Sequence, residues 1–464
     1  MTLSRFAHSY ELEGAVALYH SLRMRPVYLK TGEYKDLQAW LASSFRNGPE
    51  QAPEPIRPVV EELIKNRILT KSDGEDDRVL EFIRSKIPEP AINVCYFILS
   101  EQCNLACKYC FLGNNNKNKR AGFLSDAMTK STAEKAIGFF LRQIKLSDDG
   151  EGNSHPIIIF YGGEPLLNFP VLEYVASRVN ELRCAEPCMK DAELSVVTNG
   201  TLLDAEKINR LKDLHVGIAI SIDGFSEASN SMRVDVAGRP AYPRIVATLN
   251  LCKSLGVKVS LSVTLSEETI QHKDDVLALI KKYDVKSLGF NILMSDESFR
   301  LPASYNERAA QFIIDEFVSM RDMGIYEDRI MRKLKAFTKA QVYYSDCAAT
   351  AGGQIVVAPN GQVGICHGCL HDKKYFITNV DDGEFEARHH PLFKEWSMLS
   401  PVNKAECLSC PALGICGGGC PINAMNSKSG STIHSLDERF CVHSKKTLEF
   451  FIRDLYRIMR STNR

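Results

Sequence analysis

Three cysteines stand in one short run, CNLACKYC, at Cys103, Cys107 and Cys110. Three thiolates cannot close a tetrahedral structural zinc site, which takes four ligands. They can hold a four-iron cluster with one iron left open, and an open iron is a docking point for an exogenous ligand. A zinc site completed by a distant fourth cysteine is the competing reading. A second concentration of thiols lies downstream, at Cys347, Cys366, Cys369, Cys407, Cys410, Cys416, Cys420 and Cys441. Of the 15 cysteines, only Cys95, Cys184, Cys188 and Cys252 are scattered, and these read as free structural thiols. Cys95 sits in an apolar stretch, where a buried cysteine behaves as a small hydrophobe.

The rest of the composition says why these thiols are not disulfides. At 464 residues the chain is long enough for about three domains and a core that needs no covalent staples. Its first residues, MTLSRFAHSYELEG, hold no apolar signal-peptide core, and no apolar run approaches the ~20 residues that cross a bilayer. A cytoplasmic protein without membrane spans is expected, and there clustered cysteines bind metal or do chemistry. The 57 basic residues are balanced by 57 acidic ones, which argues against a nucleic-acid partner, since phosphate affinity needs a basic excess.

Elements that could position the thiols are readable from periodicity. NVCYFILS, PIIIFYGG, ELSVVTN, VGIAISID, KVSLSVT and SLGFNIL are strand candidates separated by helical patterns such as TAEKAIGFFLRQIK and DDVLALIKKYD. Six such alternations over residues 89–330 predict an α/β fold with a parallel sheet and helices outside, an open sheet or a full or partial barrel. Chemistry in such folds gathers at the C-terminal strand ends, where CNLACKYC, YGGEPLL, TNGTLL and SIDG all fall. Residues 1–88 hold AVALYH and RPVYL as short strands, then GEYKDLQAWLASSF and IRPVVEELIKNRIL as helices, with SDGEDDR as a polar turn. This predicts a small winged-helix-like module; a plain structural cap competes. Over 331–464 regular patterning fades, CGGGC and GGQIVVAPNGQVGIC bury little apolar surface, and metal staples are expected. A last helix, SKKTLEFFIRDLYRIMR, packs back on the body, and NNNKNKR is a short polar loop.

With its Cys-x3-Cys-x2-Cys loop and Tyr109 before the last cysteine, the chain resembles the radical S-adenosylmethionine (radical SAM) superfamily. The resemblance implies a partial (β/α)6 barrel, with Cys103, Cys107 and Cys110 holding the [4Fe–4S] cluster that binds SAM. It implies that Gly162, Gly163 and Glu164 of YGGEPLL line the site of the SAM amino group. Ser221 and Asp223 of SIDG are implied ligands of the SAM ribose or carboxylate, and Arg233 the partner of its carboxylate. Relatives often carry His-Asp before that arginine; here Ser229 and Asn230 stand instead, a departure on the substrate side.

The tail resembles the seven-cysteine SPASM pattern of radical SAM enzymes that modify peptides and proteins, and so implies two auxiliary [4Fe–4S] clusters besides the SAM-binding one. Cys407, Cys410, Cys416 and Cys441 would ligate the outer cluster, and Cys347, Cys366 and Cys420 the one nearer the active site. A pair of zinc ribbons is the competing reading of the tail. Seven thiolates are one short of two complete sets. Either Cys369 fills the gap, or an open iron remains that can take a substrate thiolate; the open iron is the expectation preferred here. His367 and His371 are read as surface or neighbouring residues.

The stretch ALYHSLRMRPVYL resembles the leader-recognition element of peptide maturases, whose expected mode is the addition of a leader strand to a sheet edge. The whole then implies a SAM-dependent maturase that installs an oxidative crosslink, most of all a thioether, in a ribosomally made precursor peptide. Flavodoxin or ferredoxin would be its electron donor. A sulfatase-maturase-like protein dehydrogenase and a non-catalytic iron–sulfur protein are the alternatives.

Overall fold

A computed structural model of the chain describes residues 1–43, 49–72, 74–112, 127–147, 155–294, 300–426 and 432–462. The NNNKNKR segment lies outside the described residues. No described helix is long and apolar enough to cross a membrane.

Near the N-terminus, β1 (Thr2–Leu3) is followed by a three-stranded antiparallel sheet of β2 (Ala7–Leu12), β3 (Ala15–His20) and β4 (Val27–Lys30), with β3 in the middle. Helices Thr31–Ala42, Arg57–Lys65 and Gly74–Arg84 come next, and β5 (Leu69–Thr70) pairs with β1. Because strand side chains alternate, β3 serves two cores at once. Leu18 faces Leu37, Trp40, Val60 and Leu63 of the module's own helices, while Ala17 and Tyr19 enter the main core of the protein. SDGEDDR is not a turn here, for the described residues from Gly74 onward are helical. Glu75, Asp76 and Asp77 suit the positive end of the helix dipole. Asp76 also accepts from Ser4 Oγ and Arg5 N, each at 2.8 Å.

The central sheet is parallel over its six main strands, as the alternating pattern predicts. Strands β6 (Val94–Ser100), β7 (Ile157–Gly162), β8 (Glu193–Thr198), β9 (Val216–Ser221), β10 (Val259–Leu265) and β11 (Ser287–Ile292) pair in parallel, each with its sequence neighbour. One face buries Ile158, Phe160, Val196, Ile218, Leu261 and Phe290 under helices. The other face, with Ile159, Tyr161, Ser195, Ala219, Ser262 and Asn291, is half-buried.

The sheet does not stop at six strands. Short β12 (Tyr326–Glu327) continues it beyond β11, and β13 (Gln354–Val357) lies parallel to β6 on the other side, followed by antiparallel β14 (Gln362–Gly364) and β15 (Phe376–Asn379). The cysteine-rich tail therefore buries more apolar surface than its composition suggests. Ile355, Val357, Val363 and Ile365 join the main core with Phe393 and Trp396. The last helix, Glu438–Thr462, packs on helix Tyr305–Arg321 and reaches the N-terminal sheet, where Tyr28 Oη donates to the Ile452 carbonyl at 2.9 Å.

Candidate active site and cluster sites

The three-cysteine loop leaves the end of β6 and is held by backbone just past β7 and in the segment that follows β9, and by the Asn199 side chain just past β8. Gly163 N donates to the Ser100 carbonyl at 2.9 Å and Glu164 N to the Gln102 carbonyl at 2.7 Å. Ala106 N and Lys108 N reach the carbonyls of Val234 and Met232 at 2.7 and 2.9 Å. Asn199, just past β8, donates to Asn104 Oδ1 at 2.9 Å and lies 3.8 Å from Cys103 Sγ, which also accepts from Leu105 N at 3.4 Å. Gly162 and Gly163 are required by this packing. A Cβ on either would collide with the carbonyl of Ser100 or Gln102, and Gly162 has φ +137°. The close approach expected between these glycines and a ligand is, in the protein itself, an approach to the start of the cysteine loop.

Glu164, expected to line a ligand site, is only 1% exposed. Its Oε1 accepts from Thr198 Oγ1 at 2.7 Å and Leu166 N at 3.1 Å, and its Oε2 from Asn199 N at 2.8 Å. It ties the end of β7 to that of β8. Burial raises its pKa to about 7, against the pull of these donors.

Asp223 and Arg233 likewise face each other. Arg233 Nε and Nη2 donate to the two carboxylate oxygens at 2.9 Å each, and both residues are buried. A buried charge needs such a partner. Asp223 also accepts from Thr264 N at 2.9 Å and from Tyr109 Oη at 2.5 Å. The Arg233 guanidinium lies 5.5 Å from the centroid of the Tyr109 ring. This pair anchors the residue next to Cys110 to the end of β9. Ser221 ends β9 on its half-buried face.

Cys103 is exposed, yet burial pushes its thiol up to about 12; Cys107 rises to about 11 for the same cause. Cys347 combines exposure and a burial-raised pKa in the same way. Among the described residues no three His, Cys, Asp or Glu side chains converge closely enough to hold a single metal ion. One tetrahedral zinc draws four ligands to one point, whereas a four-iron cluster spreads its thiolates over four metals.

In the tail the structure brings together Cys407, Cys410, Cys416 and Cys441. Burial and then the neighbouring thiols push Cys407 and Cys441 up to about 12. Lys404 sits among them and donates to the Ser435 carbonyl at 3.0 Å. Cys347, Cys366 and Cys420 form a second group, in which Cys366 also touches Cys369. Between Cys416 of one set and Cys420 of the other run Gly417, Gly418 and Gly419, with φ of +73°, +85° and +75°. A Cβ on Gly417 would come 2.7 Å from Asp346 N, so three consecutive left-handed glycines carry the chain between the two sets.

An aromatic group not foreseen from the sequence fills the space between the first loop and Cys366. The His367 ring stacks on Tyr96 at 4.6 Å, meets Tyr161 at 5.0 Å and lies 6.1 Å from Phe111. Tyr161 is near both Cys110 and Cys366. Burial lowers the His367 pKa to about 4, which keeps its ring neutral. The available signal was parity, since Tyr96 and Tyr161 fall on the alternate, half-buried face of their strands. His371 is exposed.

Comparison with known proteins agrees with this geometry. Residues 97–280 match the family model of the Radical SAM superfamily. The chain is 25% identical over 361 residues to the radical SAM cyclopropyl synthase TigE of Paramaledivibacter caminithermalis, covering 75% of this chain and 72% of TigE. It is 25% identical over 386 residues to a cysteine-type anaerobic sulfatase-maturating enzyme of Clostridium perfringens, covering 78% and 96%. Among solved structures, native anSMEcpe with bound AdoMet matches 80% of this chain and 99% of its own, with TM-score 0.62 and 23% identity. Streptococcus suis SuiB bound to its precursor peptide SuiA matches 95% of this chain and 99% of its own, with TM-score 0.52 and 14% identity. Residues 97–280 thus match a radical SAM domain, the unit that in this superfamily binds a [4Fe–4S] cluster and SAM, and the chain shares the fold of radical SAM enzymes that act on peptides or proteins.

Proposed function

We propose that the enzyme is a peptide maturase that binds a precursor peptide by its leader and installs an oxidative crosslink, with a thioether as the favoured product. The observation that carries this reading is the N-terminal sheet. Among the described residues β4 pairs only with β3, so its outer edge is open to an added strand. The edge of β2 is less available, because Arg453 and Tyr456 donate to the carbonyls of Glu11 and Glu13 at 3.1 and 3.2 Å. The likeness to SuiB, solved with its precursor peptide, extends over nearly the whole chain and supports the same reading.

When bound, SAM and its cluster supply a 5′-deoxyadenosyl radical that takes a hydrogen atom from an unactivated carbon. Cys103, Cys107 and Cys110 would hold that cluster, and Gly162, Gly163 and Ser221 would border SAM. Asp223, Arg233 and Glu164 would keep the loop and strand ends in place. Crosslinking removes a second electron and a proton from the peptide. Two auxiliary [4Fe–4S] clusters would accept and pass on that electron, the outer on Cys407, Cys410, Cys416 and Cys441, the inner on Cys347, Cys366 and Cys420. Flavodoxin or ferredoxin would supply the priming electron in the cytoplasm.

A sulfatase-maturase-like oxidation of a protein side chain is the second reading, favoured by the sulfatase-maturating relative and the higher TM-score of anSMEcpe. Co-expression with a candidate precursor followed by mass spectrometry separates the two. Loss of two hydrogens per modification, dependent on the leader and with fragmentation suppressed across a ring, is expected. Unchanged precursor together with oxidation of a leaderless cysteine or serine substrate would favour the second reading.

A further inference from the structure

We infer that Cys369 is the fourth thiolate of the inner auxiliary cluster, so that this cluster carries no open iron for a substrate sulfur. The inference rests on the reading that Cys347, Cys366 and Cys420 hold a cluster.

Three Cys-x2-Cys turns occur in the chain, and all are closed in the same way. The amide of the second cysteine donates to the carbonyl of the first at 3.2 Å in Cys107–Cys110, at 3.0 Å in Cys407–Cys410 and at 3.1 Å in Cys366–Cys369. The first two turns present both sulfurs to one cluster site. The third has the same backbone and lies in the inner set. Its first sulfur accepts from Gly368 N at 3.3 Å, as Cys103 Sγ accepts from Leu105 N at 3.4 Å, two residues on in each case. Such N–H donors stabilise a bound thiolate.

The Cys369 thiol is directed at this site, for it is hydrogen-bonded to Cys366, which itself neighbours Cys347 and Cys420. Ligation would remove the proton from each thiol, so the contact between the two sulfurs would give way to each thiolate binding its own iron of the cluster. No other spare thiol serves. Cys95 points to the opposite face of β6, with Phe97 and Leu99 in the main core. Cys252 is buried on helix Tyr242–Ser254, and Cys184 lies in helix Phe169–Ala185 with Cys188 in the turn just beyond it. With Cys369 the inner set has four thiols, equal in number to the outer set. The expectation of an open iron is thereby replaced, and the inner cluster is left with electron transfer as its part in the crosslinking.

The test uses the full chain with Cys103, Cys107 and Cys110 all replaced by Ala, so that only auxiliary clusters remain. Iron content and EPR spectra of the reduced protein are recorded with and without excess 2-mercaptoethanol. The expected result is that the thiol leaves the spectrum of this parent unchanged. Adding Cys369→Ala should either make one of the two signals thiol-responsive or remove that signal and its iron, while Cys252→Ala does neither. A thiol-responsive parent would overturn the inference. So would a Cys369→Ala protein with unaltered iron and spectrum, or nitrogen hyperfine coupling that made His367 the ligand. If Cys369→Ala loses all iron through misfolding, the response of the parent decides alone. A parent without iron would remove the two-cluster reading itself, which is a distinguishable failure.

Discussion

Arg233 and Asp223 form a two-point ion pair at 2.9 Å, sealed from solvent, and the same carboxylate accepts a hydrogen bond from Tyr109, the neighbour of Cys110. The segment just past β9 is thereby fixed to the cysteine loop that follows β6. Asp223→Asn should leave the guanidinium buried without its counter-charge, at a cost of about 3–5 kcal/mol. Anaerobic thermal unfolding should show a lower Tm and iron analysis a less complete SAM-binding cluster. Arg233→Lys should lose the two-point geometry and behave similarly. An unchanged Tm in both variants would mean that the pair contributes no net stability.

The radical-generating site can be separated from the tail by substitution. Replacing Cys103, Cys107 and Cys110 together by Ala should abolish reductive SAM cleavage, because these thiols are the only ones in the loop at the end of β6. The sets around Cys407 and Cys347 lie outside this loop, so their iron should be retained. Chromatographic detection of 5′-deoxyadenosine checks the first part and iron analysis the second. Retained cleavage would contradict the cluster assignment.

The six parallel strands were legible because each is an apolar or alternating run set off by helical patterns, and the first four are followed by a glycine-, serine- or cysteine-bearing motif. The partners of the motif residues were not legible. Asp223 and Arg233 look like ligand contacts in one dimension, but burial leaves two opposite charges little alternative to pairing. The oxygens of Glu164 likewise have partners that one dimension does not show, in Thr198, Leu166 and Asn199. The run Gln354–Val357 was too short to declare itself a strand, and only its pairing with β6 explains its burial. The stack of His367 on Tyr96 joins positions far apart in the chain, and no local pattern records it.

His20 makes stability depend on pH in a definite direction. It is fully buried, its Nδ1 accepts from Leu22 N at 3.2 Å, and burial lowers its pKa from 6.5 to about 4. The unfolded chain therefore takes up this proton first as the pH falls. The neutral ring's contribution is intact above pH 6.5, is lost as the pH drops from 6.5 towards 4, and falls no further below. The full span corresponds to about 3 kcal/mol. Urea unfolding at several pH values should show this slope, and His20→Asn, which keeps a side-chain acceptor, should flatten it. A His20→Asn profile parallel to the wild type would assign the slope to other groups.

At Gly414 the N-terminal residues and the cysteine-rich tail approach closely. It lies in helix Leu413–Cys416, beside an outer-set cysteine, and a Cβ there would strike the Ser21 carbonyl and come 2.9 Å from Met24 Sδ. Backbone at that position cannot yield as a flexible side-chain tip can. Gly414→Ala should push the loop between β3 and β4 away and shift the β4 edge relative to the rest of the enzyme. The strands of the central sheet and the first cysteine loop are untouched, so SAM cleavage without peptide should continue near the wild-type rate. Leader binding, measured by fluorescence anisotropy of a labelled leader peptide, should weaken about tenfold, which is about 1.4 kcal/mol. Crosslinking should fall in parallel. If leader affinity and crosslinking both match the wild type while the Tm drops, the contact only holds the two modules together, and the β4 edge does not depend on it.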